Sequence, residues 1–367
     1  MKTLYTYVIL SFAFLYANNN IEAYGTLGDV KIHINLEKDE NNCWARYYYD
    51  SKLLDIESTE CKIYKNRYDV YVNHDMNDKT KKVADGEHFV LNIKNGTIDG
   101  TWQNNSSKSK VVNLKISKGS YEKFRNDNLG FSRDKIQNVS QNRQIIWIKE
   151  NHSNILYPRL GNGFNNQDIA KTNNILENIQ KDMSMAYLTC VSRFDYGSGM
   201  ETNNEVEFVG TNFVSISTSD NYYCGGAHPD FNSYGNLIEI KSGKSYGIDE
   251  ILAFDKIVPK YKRGDNDEKF SKYAEYREKK FAPAIKHLIF EEQGWSLNQK
   301  FNEDECDYGD DDVWDFVSWY ATKDGLAIVP IFARVSRACE EPFVIPYNKL
   351  SKYKNPKFKY RLEDIAK

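Results

Sequence analysis

Apolar and polar residues alternate along the first third of the chain with the period of β-strands. Within Val30–Leu36 every second residue is apolar, which predicts a strand with one buried face. Further short apolar runs follow as far as residue 116, separated by turn-forming pairs such as Asn95-Gly96. The pattern predicts an antiparallel β-meander over residues 24–116, closed or nearly closed into a small barrel.

A polar stretch over residues 117–143 has no clear period, and it predicts a linker with a local helix around Ser120–Asn126. A second unit begins after it. Helical spacing of apolar residues predicts a helix over Asp168–Met183, capped by Asn165 or Asn166. The same spacing predicts a second long helix over Glu268–Glu292.

The second unit, residues 144–357, also contains several runs typical of strands, and residues 358–367 read as a C-terminal tail. Because strands and helices are segregated along the chain, the pattern predicts an α+β domain with a mixed or antiparallel sheet. The strands predicted after the first helix are Ala186–Ser192, Glu205–Thr211, Asn212–Ser219, Leu237–Ile240, Val313–Tyr320 and Gly325–Ala333.

The N-terminus has the pattern of a secretory signal peptide over residues 1–23. Lys2 precedes an uncharged, largely apolar run from Leu4 to Ala17, and Ala23 ends a suitable cleavage site, with Ala17 as the competing one. The apolar run is shorter than the roughly 20 residues that span a bilayer, although an uncleaved anchor is the alternative. The pattern predicts a periplasmic or secreted chain that is not an integral membrane protein after cleavage.

Six cysteines remain after such a cleavage. An even number of cysteines in an exported chain favours disulfides, and no CxxC pair or nearby histidine indicates a metal site. Six cysteines can pair in many ways, and a free catalytic thiol is the alternative. Local spacing favours three pairs: Cys43–Cys61, Cys190–Cys224 and Cys306–Cys339.

Charge and motif content exclude several functions. Lys and Arg number 49 and Asp and Glu 52, so the chain has no basic surplus for nucleic acid. It contains no P-loop, no G-x-S-x-G, no HExxH and no dinucleotide-binding glycine motif. We therefore expect no cofactor and no nucleic-acid partner.

The stretch Tyr222–Pro229 has the residues of a tight corner between two strands. Gly225-Gly226 allows positive φ, and His228 before Pro229 is restricted to an extended conformation. With Gly243-Lys244 and Val344–Leu350 later in the chain, this stretch resembles a domain of unknown function in bacterial envelope proteins. Among those are the lysozyme-sensing anti-sigma factor RsiV and the peptidoglycan deacetylase PdaC. The resemblance covers about residues 144–353 and implies an α+β domain involved in recognition.

The first unit resembles a lipocalin-like barrel module that precedes the RsiV-like domain in some Gram-negative proteins. The residues that carry this likeness are Gly25–Gly28, Tyr47–Tyr49 and Gly100–Trp102. The resemblance implies a barrel mouth that can take a ligand. A barrel filled by its own side chains is the alternative, favoured for a small barrel.

His228 is the one weak catalytic candidate. A histidine beside a carboxylate such as Asp230 can act as a general base, but the short spacing equally fits a corner in which His228 has only local contacts. The predicted binding residues are therefore those of the corner and of an acidic loop further along: Tyr222, Tyr223, Gly225, Gly226, His228, Asp310 and Asp311.

The acidic loop spans residues 303–315. Its oxygens suit a hard cation, but the spacing lacks the glycine and alternate carboxylates of an EF-hand, so we expect no metal. It can instead attract a basic partner.

The sequence favours an exported envelope binding protein that recognises lysozyme or cell-wall glycan. The alternatives are a peptidoglycan-directed hydrolase using His228 and a structural envelope component. The chain is more consistent with a binding protein than with an enzyme.

Overall fold

The computed structural model describes residues 20–39, 42–72, 86–104, 108–140, 142–192, 199–225, 228–262, 264–301 and 306–367. The chain forms two compact units, unit 1 over Met1–Asp127 and unit 2 over Asn128–Lys367. Among the described residues, no helix has the length and apolarity that crossing a membrane requires. The fold is α+β with antiparallel strand pairing, as the sequence predicts.

Unit 1 is a nine-stranded antiparallel sheet followed by one helix. The elements are β1 (Asn20–Leu27), β2 (Val30–Asp39), β3 (Asn42–Tyr49), β4 (Ile56–Glu57), β5 (Glu60–Tyr64), β6 (Arg67–Val72), β7 (Glu87–Lys94), β8 (Thr97–Gln103), β9 (Ser109–Ile116) and α1 (Ser120–Asp127).

The strand order β4-β3-β2-β1-β9-β8-β7-β6-β5 curls the sheet into a half-barrel. Consecutive strands pair except β4 and β5, which form the two edges of the sheet, and β1 also pairs with β9, so the meander is open between β4 and β5. At that opening the Ser58 amide donates to Ala45 O at 2.8 Å and the Thr59 amide to Tyr71 O at 2.9 Å, so the chain itself crosses from one edge to the other. The Cys43–Cys61 disulfide joins β3 and β5 across the same opening.

The concave side of the half-barrel is filled by apolar side chains, including Ile34, Phe89 and Trp102. The sequence predicts one buried face for β2, but His33 and Asn35 on its other face are buried as well. Helix α1 accounts for the burial of His33, because the Phe124 ring stacks on the His33 ring with centroids 4.0 Å apart.

Helix α1 is held to the sheet by a buried ion pair. The Arg125 side chain is fully buried and its Nη1 donates to Asp55 Oδ2 at 2.9 Å, while the Tyr121 hydroxyl donates to Asp55 Oδ1 at 2.6 Å. The helix expected around Ser120–Asn126 is thus present. The rest of segment 117–143 is not simply a linker, because it contains a strand over Phe131–Asn138.

Unit 2 contains three antiparallel sheets and five helices within the described residues. The elements are β10 (Phe131–Asn138), β11 (Gln144–Glu150), β12 (Leu156–Leu160), α2 (Asn166–Val191), β13 (Gly199–Val209), β14 (Phe213–Tyr223), β15 (Asp230–Glu239), β16 (Ser245–Tyr246), α3 (Ile248–Ile251), α4 (Asp267–Tyr276), α5 (Ala282–Gln293), β17 (Ser318–Ala321), β18 (Gly325–Val329), β19 (Phe343–Pro346) and α6 (Tyr347–Leu350). A π-helical turn, Arg277–Phe281, joins α4 to α5.

The β13–β16 sheet lies between two apolar cores. Phe213 of β14 belongs to the core that contains α5 and β18, whereas its neighbour Val214 belongs to the core under α2. In β15, Leu237 belongs to the core that contains α5 and β18, and Ile238 belongs to the core under α2. Because successive strand residues point to opposite faces, a sheet covered on both sides buries consecutive apolar residues.

Three sequence predictions in unit 2 need correction. Ala186–Ser192 is not a strand: Ala186–Val191 is the last part of α2, whose buried face continues through Leu188. Val313–Tyr320 is a strand only from Ser318, since a 3₁₀ turn occupies Asp312–Trp314. Residues 358–367 differ from a tail, because Phe358, Leu362 and Ile365 are core residues.

Candidate functional site

The predicted corner connects β14 to β15. The two strands pair in antiparallel register as far as Tyr222 opposite Asp230, and residues 223–229 connect them. Gly225 has φ of +91°, in the region where glycine is favoured over residues with a Cβ. Gly226, also a predicted binding residue, lies outside the described residues.

A disulfide, an ion pair and hydrogen bonds to backbone carbonyls hold this corner in place. The Cys190–Cys224 disulfide ties its first residue to the end of α2. Arg334 Nη2 donates to the His228 carbonyl oxygen, and Arg337 Nη1 donates to Asp230 Oδ1 at 2.7 Å and to Phe231 O at 3.1 Å. The corner is therefore fixed by groups from two distant parts of unit 2.

The His228 side chain is exposed at the surface of this corner. Asp230, the carboxylate nearest to it in sequence, is engaged by Arg337, with Arg334 Nε at 3.9 Å from its other oxygen. A general base needs a partner that orients its imidazole. The arrangement therefore commits the Asp230 carboxylate to the two arginines.

The two tyrosines before the corner are both half-buried. The Tyr222 hydroxyl donates to Asp230 Oδ2 at 3.4 Å and accepts from Asn232 Nδ2 at the same distance. Tyr222 thus joins the polar network of the corner and presents part of its ring to solvent.

The predicted acidic loop is an ordered turn in its described part. Asp311 pairs with Lys286 of α5 at 2.6 Å, and Asp310 Oδ1 accepts from the Asp312 amide at 3.0 Å. Within the described residues no cluster of three or more His, Cys, Asp or Glu side chains is arranged to hold a metal. Residues 303–305 of this loop lie outside the described residues. Asp310 and Asp311 therefore support the turn rather than converge on a common ligand.

One segment connects the corner to the acidic turn. The 3₁₀ segment Arg334–Cys339 contributes both corner arginines, and its last residue forms the disulfide with Cys306. Arg334 and Arg337 were not predicted as site residues, and they lie 106 and 107 residues from the partners they bind. Only Cys339, at the end of the same segment, marks this part of the chain in the sequence.

The disulfide prediction is confirmed in full, because the described residues contain all three expected pairs and no free cysteine. Three disulfides are typical of proteins that function outside the reducing cytosol. Fold and disulfides together define the class as a disulfide-bonded α+β protein with a half-barrel β-unit.

Comparison with known proteins adds two structural neighbours. No protein-family model matches the chain, and no curated protein matches it. A DUF3298 family protein from Pseudomonas aeruginosa PAO1 is similar over 62% of this chain and 95% of its own, at 13% identity and a TM-score of 0.32. A member of the same family from Bacteroides fragilis NCTC 9343 is similar over 65% and 97%, at 11% identity and a TM-score of 0.37.

These neighbours belong to a domain family without a characterised function. At such identity and TM-score the likeness transfers no residue role to this chain. The resemblance to the RsiV and PdaC domain stays a prediction from the sequence.

Proposed function

We propose that this chain is an exported envelope protein whose function is binding. The proposed binding surface is the corner of the β14–β15 hairpin, with Tyr222, Tyr223, Gly225 and His228 and with Gly226 between them. The acidic turn with Asp310 and Asp311 assists. The proposed partner is lysozyme or, alternatively, cell-wall glycan.

The observation that carries this proposal is the fixation of an exposed corner. A disulfide, two arginines and Asp230 hold the backbone around His228, although that residue is not in the core. A surface that is ordered before it meets its partner loses less conformational entropy on binding. The same fixation supports binding over hydrolysis, because it uses the carboxylate that would otherwise orient His228.

The identity of the partner follows from the sequence resemblance and from charge. RsiV senses lysozyme, and lysozymes are typically basic, so the acidic turn would favour their encounter by electrostatic attraction. Glycan is the second partner because half-exposed tyrosines provide faces for sugar rings. Both partners belong to the envelope, where disulfide-bonded proteins persist.

A cell-wall clearing assay tests the proposal. Purified protein is mixed with lysozyme at increasing ratios, and clearing of a peptidoglycan suspension is followed over time. We expect slower clearing that reaches a plateau at a fixed ratio, and no clearing by the protein alone.

The corner variant combines Tyr223→Ala with His228→Ala. Its control is Lys323→Ala, on the β17–β18 turn. The corner variant should raise the concentration for half-maximal inhibition about tenfold or more, the effect of a lost interface hot spot. Clearing by the protein alone that His228→Ala abolishes would establish the hydrolase instead. Unchanged clearing, together with no retention on peptidoglycan, would leave only a structural role.

A further inference from the structure

A second surface of unit 2 carries a group of aromatic rings, two exposed and two half-buried, which we call the aromatic patch: Tyr261, Phe270, Tyr273 and Phe316. Phe270 and Phe316 are each 44% exposed. Among the Phe, Tyr and Trp residues in the described part of unit 2, these two have exposed side chains. Their ring centroids lie 6.3 Å apart with planes 14° from parallel. Tyr261 stacks on Tyr273 at 5.8 Å beside them.

The patch is assembled from three separate segments, since Tyr261 lies before α4, Phe270 and Tyr273 lie on α4, and Phe316 follows the Asp312–Trp314 turn. Exposed apolar residues are common singly, but a contiguous exposed cluster rimmed by polar groups marks an interaction site. The described residues leave nearly half of each phenylalanine side chain open to solvent. The exposed parts of the two rings therefore form an apolar area available to a partner.

A buried arginine supports the rings from below. The Arg277 side chain is buried, its Nη1 binds both oxygens of Asp249 at 3.1 and 3.2 Å, and its Nε donates to Asp315 O at 2.5 Å. Its guanidinium lies 3.4 Å from the Phe281 ring centroid and 5.8 Å from that of Phe316. The Tyr273 hydroxyl donates to the same Asp249 at 2.8 Å. The patch is thus held in one arrangement rather than assembled on contact.

The helix geometry at this point is also irregular. Arg277 begins the π-helical turn between α4 and α5, and such turns occur mostly as single insertions, frequently at functional sites. The turn places Arg277 and Phe281 so that guanidinium and ring stack. This arrangement joins α4, which carries Phe270 and Tyr273, to the segment that carries Phe316.

Carboxylates cluster around Asp315, which directly precedes Phe316, and we call them the carboxylate border. Burial, with the nearby Asp312 and Glu278 carboxylates, raises the pKa of Asp315 to about 6 against the lowering effect of Arg277. Three lysines of α4 and the π-helical turn pair with nearby carboxylates: Lys269 with Asp265 at 3.0 Å, Lys272 with Glu268 at 2.6 Å and Lys279 with Glu275 at 2.9 Å. Asp312 and Glu278 are near enough to raise the pKa of Asp315, and no ion pair joins either of them to a described residue. Acidic groups are therefore concentrated around the residue that precedes Phe316.

We propose that the aromatic patch, with its carboxylate border, is a docking surface for a basic protein and binds that partner's Lys or Arg side chains. Aromatic faces attract cations through their quadrupole, and neighbouring carboxylates add charge complementarity. Aromatic residues are also those that dominate protein–protein interface energies. This surface is distinct from the hairpin corner, so the proposal goes beyond the proposed function and does not depend on it.

Binding of a fluorescein-labelled nona-arginine peptide, followed by fluorescence anisotropy at low salt, tests the proposal on the full chain. The double variant Phe270→Ala with Phe316→Ala should bind about tenfold more weakly than the unmodified protein. Leu297→Ala removes another exposed apolar side chain and should change the affinity less than twofold. Val335→Ala, which removes an exposed side chain between the two corner arginines, should bind as the unmodified protein does.

The carboxylate border has its own variant. Asp315→Asn should weaken peptide binding severalfold at pH 7.5, whereas Asp324→Asn, in the exposed β17–β18 turn, should not. Between pH 7.5 and 5 the unmodified protein should lose affinity as Asp315 takes up a proton, and Asp315→Asn should lose less. Asp311, Asp312, Glu278 and Arg277 surround this group in both proteins, so the comparison isolates Asp315.

Three results would overturn the proposal. The first is equal peptide affinity in the phenylalanine variant, with circular dichroism showing an intact fold. The second is that the unmodified protein binds chitohexaose but not the peptide, and that the phenylalanine variant no longer binds chitohexaose. This result would define a glycan site. The third is concentration-dependent dimerisation of the unmodified protein that the variant abolishes, since a second copy would then be the occupant.

Discussion

Glu239, at the end of β15, is only 2% exposed and contacts four side chains, those of Lys359, Ser242, Tyr360 and Tyr246. Lys359 Nζ lies 2.6 Å from Oε1, the Ser242 hydroxyl donates to Oε2 at 2.6 Å, and the Tyr360 hydroxyl donates to Oε1. Burial alone would raise the pKa of this carboxyl. The hydrogen bonds from Lys359, Ser242 and Tyr360 outweigh it and lower the pKa to about 2. The last ten residues of the chain are thereby anchored to the central sheet.

This carboxylate predicts an acid-sensitive contribution to stability. Because its pKa is lower in the folded chain than the ordinary value of 4.5, its contribution is fully present above pH 4.5 and is lost as the pH falls toward about 2. Glu239→Gln should reduce the free energy of unfolding at pH 7 by about 1–3 kcal/mol, the range for a broken charged hydrogen bond.

Urea denaturation from pH 7 to pH 2.5 measures the effect, with Glu341→Gln as an exposed control. The difference between Glu239→Gln and the unmodified protein should shrink as the pH falls. A difference that stays constant over this range would contradict the assignment.

The part that a single residue plays was predictable from the sequence where its residue type has few structural roles. Six cysteines in an exported chain predict disulfides, and Gly225 predicts the positive φ that it has. The arginines at the corner were not predictable, because an arginine in a polar segment is usually a solvated surface group. Their role depends on contacts more than 100 residues away, which only the fold brings together.

Among the elements, the Cys43–Cys61 disulfide of the half-barrel has a definite mechanical role. It joins β3 to β5 across the opening between β4 and β5. An open sheet edge exposes unpaired backbone groups, and proteins protect such edges. The disulfide therefore stabilises the half-barrel where its two edge strands, β4 and β5, do not pair.

Replacing both cysteines by alanine should destabilise unit 1 by about 3 kcal/mol, the value for a cross-link that closes a loop of this size. Hydrogen exchange should accelerate first in β3 and β5. The control is Cys190→Ala with Cys224→Ala, which should accelerate exchange at the end of α2 and leave β3 and β5 unchanged. Uniform acceleration across all nine strands would show that the disulfide does not act locally.

Elements were predicted well where the hydrophobic period was long and regular. The helix predicted from Glu268 to Glu292 corresponds to α4, the π-helical turn and α5, and Asn165 caps α2 as proposed. Ala186–Ser192 was wrong because Tyr187, Thr189 and Val191 are residues with high β-propensity. Packing of the α2 face against the sheet overrides that local preference.

At the scale of the whole molecule, the start of β1 bears on the proposed export signal. Ala23 is fully buried and pairs with both Ile34 and Ile116. Glu22 accepts two amide hydrogen bonds, one from Ser117 to its carbonyl oxygen and one from Tyr121 to its carboxylate. Cleavage after Ala23 would remove half of β1 and both of these contacts. Cleavage after Ala17, the competing site, would leave β1 complete.

We therefore predict that the exported protein begins at Asn18. Intact-mass measurement of the unreduced protein from the medium or periplasm checks both the N-terminus and the three disulfides in one spectrum. A shortened chain that begins at Tyr24 should unfold at lower urea concentration than one that begins at Asn18, because the strand that closes the half-barrel onto β9 is shorter. Recovery of full-length chain in the membrane fraction would contradict cleavage, and a natural N-terminus at Tyr24 would show that β1 needs only its second half.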